Sequence, residues 1–92
     1  MERIISYDWK FYIGEIDVCS EDKQYTVKAG YVNECELYIR IFDSANSFIM
    51  GDWISCIEYR DWYDNEDSRI SKNTVDKCIR AARLLEELKI FA

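Results

Sequence analysis

Between residues 34 and 42 the chain changes character at every position. Cys35, Leu37, Ile39 and Ile41 take one set of alternate places, and Glu34, Glu36, Tyr38, Arg40 and Phe42 take the other. A strand sends successive side chains to opposite faces, so this stretch predicts one apolar face and one acidic, aromatic face. The first requires cover. The second is free to meet solvent or another molecule.

A second pattern supplies the cover. From residue 73 to about residue 90, Val75, Cys78, Ile79, Ala82, Leu85 and Leu88 form one stripe at helical spacing. Asn73 is placed to cap the first turn, and Asp76 to meet the positive helix end. Asp76 with Arg80, and Arg83 with Glu87, fall one turn apart on the exposed side. A helix this short is marginal alone, so its stripe must dock, and the apolar sheet face is the partner of matching size.

The other strands follow from the same period of two. Residues 9–19 place Phe11 and Ile13 on one parity and Ile16 and Val18 on the other, so a bulge is expected at Gly14. Residues 20–23 read as a polar turn. Residues 24–32 put Tyr25, Val27, Ala29 and Tyr31 on one side, Asn33 turns the chain, and residues 43–47 close a third hairpin. A short edge strand is expected at residues 4–7. Residues 53–63 fit both periods, and their branched and aromatic side chains favour a strand through Tyr59. Residues 63–68, with Asp64, Asn65, Glu66 and Asp67, predict a solvated loop. The expected fold is therefore α+β: an antiparallel β-meander of four to five strands with one C-terminal α-helix packed on one face, in a single domain over residues 1–92.

Charge narrows the function. The chain carries a net charge of -6. Residues 1–67 hold 15 acids and 6 bases, and residues 68–92 hold 3 acids and 6 bases, so -9 and +3 give that total. Such a field repels phosphate backbones and anionic lipid, and it favours a basic partner; neither direct nucleic-acid binding nor membrane binding is expected. Lys72, Lys77, Arg80 and Arg83 read as the solvated side of the helix. The chain opens Met-Glu-Arg-Ile-Ile-Ser, where charge arrives too early for an apolar leader, and a cytoplasmic location is expected.

Chemistry is sparsely provided for. Histidine is absent, which removes the usual general base and metal ligand, and three scattered glycines make no phosphate loop. An EF-hand reading from Asp64 puts Arg69 where glycine is needed and Val75 where the bidentate glutamate belongs, so that motif fails. Cys19, Cys35, Cys56 and Cys78 lie 16, 21 and 22 residues apart, unlike a zinc or redox motif, and are expected as reduced core thiols. No enzymatic activity, cofactor or metal is expected.

What remains is the coincidence of acids with large rings. Glu34, Glu36, Tyr38 and Phe42 share the strand face away from the helix, and Asp61, Trp62, Asp64, Glu66 and Asp67 crowd the later loop. These are the candidate partner-binding residues, since aromatic side chains anchor interfaces and rim charges select partners. By composition alone the chain is similar to phage-encoded inhibitors of host defence, anti-CRISPR proteins among them, several of which mimic the charge of DNA. That likeness implies a non-enzymatic inhibitor of a basic, nucleic-acid-binding protein surface. The alternatives are an immunity protein that neutralises a toxin, or a self-associating accessory subunit, with the chain a monomer or homodimer.

Overall fold

The computed structural model describes residues 9–33, 36–62 and 70–90. The expected strand at residues 4–7, Cys35 and the acidic loop at 63–68 lie outside them. Four strands, β1 (Phe11–Ser20), β2 (Lys23–Tyr31), β3 (Leu37–Asp43) and β4 (Phe48–Trp53), form an antiparallel sheet in the order β1-β2-β3-β4. A short helix α1 (Ile54–Glu58) and a long helix α2 (Lys72–Ile90) follow. The α+β meander with a C-terminal helix is as the alternation predicts.

Register carries the alternation across the sheet. Ile16, Val27 and Ile41 align on the inner face, as do Ala29 and Ile39, while Tyr12, Gly30 and Tyr38 align on the outer one. The expected bulge occurs at Gly14, which takes φ 152, and it returns Ile13 to the core beside Val18. Helix α2 lies mainly over β1 and β2, and α1 over β3 and β4. Between them they seal Val27, Ala29, Ile39 and Ile41 against Ile54, Ile57, Val75, Cys78 and Ala82. Burying each large aliphatic side chain contributes about 1.5–3 kcal/mol, so this layer is the main source of stability.

Hydrogen bonds fix α2 to the first hairpin. The Ser71 Oγ accepts from the Thr74 N–H at 3.2 Å and donates to the Glu21 carboxylate at 2.8 Å, while the buried Ser20 and Thr74 hydroxyls bond at 2.8 Å. Ser71, not Asn73, is therefore the cap, and the helix starts one residue earlier than expected. Glu21 and Asp22 at the hairpin tip have φ 54 and 63, the positive pair of a two-residue turn whose twist matches the strands. Farther along, Tyr31 donates a hydrogen bond to the Glu86 carboxylate.

Four other expectations need correction. Residues 54–58 are helical rather than a strand through Tyr59, because the Glu36 carboxylate accepts the Ser55 N–H at 2.7 Å and satisfies the first turn of α1 from outside it. Leu88 is 59% exposed, since the stripe beyond Leu85 turns past the sheet. Asp76 pairs with Lys72 at 3.1 Å and Arg83 with Glu58 at 3.4 Å, in place of the pairs drawn within the later helix. Cys78 is buried, but Cys19 and Cys56 are exposed free thiols, because Cys19 falls on the solvent-facing parity of β1 and Cys56 on the side of α1 away from Ile54 and Ile57.

Burial pushes the Cys78 thiol up to about 12, and burial followed by the Glu86 contact pushes the Tyr31 phenol up to about 12. Both groups are neutral when protonated, so the fold holds these protons more tightly than the unfolded chain. Their stabilisation is complete below the ordinary thiol value of 9.0 and is lost as pH rises from there toward about 12. Urea midpoints taken from pH 8 to 11 should fall, with Cys78 alone contributing a slope of up to about 1.4 kcal/mol per pH unit. Cys78→Ala should start about 1–2 kcal/mol lower at pH 7 and decline less steeply.

A second expectation concerns Gly30. A Cβ there would sit 2.6 Å from the Phe11 carbonyl oxygen and 2.8 Å from the Trp9 ring. Gly30→Ala should cost about 2–3 kcal/mol by urea denaturation; an unchanged midpoint would mean that Trp9 does not lie on this strand.

Candidate functional site

Among the described residues, both helices lie on the inner side, and the outer side of the sheet is finished by its own side chains. Along one cross-strand row, Trp9 spans the bare backbone of Gly30, with its ring 5.5 Å from Tyr12 and 6.1 Å from Tyr38. Tyr38 meets Trp53 edge-on at 5.2 Å. This cluster leaves Tyr38 only 7% exposed, so the ring expected to face a partner is a floor for the others.

Cations occupy the middle row. Lys28 and Arg40 are register partners, and two adjacent cations persist because each rests on a ring. The Arg40 guanidinium lies 4.3 Å over Trp9 and 5.4 Å from Tyr38, and the Lys28 ammonium lies 5.0 Å over Phe42. Gly51 gives Arg40 room: a Cβ there would come within 3.1 Å of the Arg40 stem. Phe42 packs edge-on against Phe48 at 5.7 Å, and Phe48 remains 52% exposed. Acids sit at the border, where Glu15 is in hydrogen-bond range of Tyr12 at 3.4 Å and Asp17 accepts from Thr26 at 3.1 Å. The face is thus an aromatic surface with a cationic centre and an acidic edge strand.

The predicted residues divide. Phe42 and Tyr38 lie on this face, Phe42 half-buried and Tyr38 as its floor. Glu36 precedes β3, and its carboxylate is committed to the Ser55 N–H. Trp62 packs against the inner core, with Arg60 5.8 Å from its ring, so it belongs to the opposite layer from Phe42; Asp61 beside it is exposed. Glu34, Asp64, Glu66 and Asp67 lie outside the described residues. Trp9, Tyr12, Trp53, Phe48, Glu15 and Asp17 also belong to this face, although no motif marks them. The available signal was Gly30, an absent side chain among alternating large ones, which marks a place where something lies flat on the strand.

Among the described residues there is no cluster of three or more metal-ligating side chains, and no helix is long and apolar enough to cross a membrane. No protein-family model, curated protein or solved structure matches the chain.

Arg40 joins the cluster through two rings. Arg40→Ala should cost about 1–2 kcal/mol and shift tryptophan emission to longer wavelength as Trp9 gains water. Unaltered emission would show that the guanidinium does not shield the ring.

Proposed function

We propose that this protein is a non-enzymatic inhibitor that docks the open face of its sheet on a basic, nucleic-acid-binding surface of another protein. One observation carries the reading. The sheet face opposite the helices bears accessible rings at both edges, Tyr12 on β1 and Phe48 on β4 (43% and 52% exposed), and the exposed carboxylates Glu15 and Asp17 stand on β1 with Tyr12. Aromatic anchors ringed by charge are what a selective protein interface needs. Glycine slots and edge-to-face contacts hold the surface in shape beforehand, which reduces the entropy lost on binding. The net charge of -6 draws a basic partner and opposes direct contact with phosphate. Within this reading the carboxylates imitate a phosphate backbone, and Glu34, Asp64, Glu66 and Asp67 add to the same field.

Self-pairing through the β1 edge is a weaker alternative. In an antiparallel pairing of β1 with a second copy centred on Ile16, Glu15 would stand opposite Asp17, twice. Like charges directly across strands are destabilising.

The test begins with affinity capture from the source cell at low salt and continues with titration of the captured protein. Phe48→Ala should weaken binding about tenfold, Glu15→Lys with Asp17→Lys by more, and wild-type affinity should drop steeply as salt is raised. Salt-independent binding that is untouched in the folded charge-reversed variant would overturn the proposal.

A further inference from the structure

At the turn end of the sheet a groove of about 460 Å³ opens between the β1–β2 and β3–β4 connections, lined by Asp22, Lys23, Tyr25, Asp43, Ala45 and Ile49 among others. Its size falls within the range of small-ligand sites. Tyr25 is the informative residue. It is only 4% exposed, yet its hydroxyl makes no hydrogen bond among the described residues and is not sealed from solvent. A buried polar group normally finds a partner, and this one opens into a groove.

Carboxylates surround it. Burial first, then the charges of Glu21, Cys78 and Asp43, push the Tyr25 phenol up, so it stays protonated and its oxygen remains an acceptor. Asp43 spends Oδ1 on the Ala45 and Ser47 N–H groups at 2.9 Å each, which leaves Oδ2 for another donor. Asp22 is exposed and makes no ion pair among the described residues. Lys23, exposed at the rim, is the sole cation lining the groove among the described residues.

We propose that this groove receives a basic side chain of the partner protein, its aliphatic stem along Ile49, Ala45 and the Tyr25 ring, and its cationic head between Asp22, Asp43 and the Tyr25 hydroxyl. The inference rests on the reading of the protein as a binder of basic surfaces. It adds a slot with donor–acceptor chemistry at the turn end of the sheet, where Tyr25 and Asp43 are register partners on the helix-side parity and not on the ring-bearing face. The partner therefore reaches it past the hairpin tips, and the slot selects a guanidinium or ammonium on a flexible stem over a diffuse basic patch.

The experiment uses the free, ¹⁵N-labelled chain titrated with N-acetyl-arginine amide, with N-acetyl-norleucine amide as the uncharged control. Saturable shifts at the amides of residues 23–25, 45 and 49 are expected with the arginine probe alone. Tyr25→Phe and Asp22→Asn, which keep the ring and the turn, should each weaken binding about threefold or more, and Lys23→Gln should tighten it. Equal shifts with both probes, no shifts with either, or unchanged affinity in Tyr25→Phe and Asp22→Asn would overturn the proposal. Since no partner is present, the two readings fail separately. Partner binding that is sensitive at Glu15 and Asp17, without arginine binding, removes the groove alone; arginine binding with salt-independent partner binding removes the docking reading alone.

Discussion

A sheet has two faces, and in this chain the described helices cover one. The rest of the architecture answers that imbalance. The inner face is aliphatic, and Val27, Ala29, Ile39 and Ile41 are fully sealed beneath α2 and α1. Water would otherwise wet the outer face, so the chain lays its own rings there, Trp9 across Gly30 and Trp53 against Tyr38. This second layer is thin. It hides Tyr38 but leaves Phe48 and Tyr12 in reach, so the solution to a packing problem also creates an accessible surface.

The placement of charge follows from the same geometry. Arginine and lysine have long stems and diffuse or compact cations that tolerate an aromatic face, so Arg40 and Lys28 can occupy the middle of the outer layer. Carboxylates have short stems and bind water strongly. They are accordingly found at the border strand and at the turn tips, in Glu15, Asp17, Asp22 and Asp43. Among the described residues, Glu15 and Asp17 thus put acid along one edge of a cation-bearing aromatic plate, not a uniform negative sheet.

The fold was legible because its signals are local. Alternation at residues 34–42, the helical stripe ending at Leu85, and a lone glycine between two parities each need only a few neighbouring residues to interpret. What escaped was decided across long separations. Helix α1 is five residues long, too short for a period, and its first turn is completed by Glu36 from 19 positions earlier. The alternation around Tyr38 says which face it takes and nothing about Trp9, which covers it from just before β1. The candidate site was legible in its residue types, acids and rings, and only partly in its membership. Phe42 stayed on the face, Trp62 went to the other layer, and Glu36 was spent on a backbone amide.

The strand order β1-β2-β3-β4 has a consequence for how the molecule comes into being. Each strand pairs with its neighbour along the chain, so hairpins can close one after another as residues leave the ribosome, with little loop entropy lost at each step. The helix that shields the inner face is encoded after all four strands. During synthesis the sheet therefore waits with its aliphatic side bare, at the stage when chains are most prone to aggregate. The aromatic layer, whose parts all precede α2, gives the nascent sheet one finished side while the other awaits its cover.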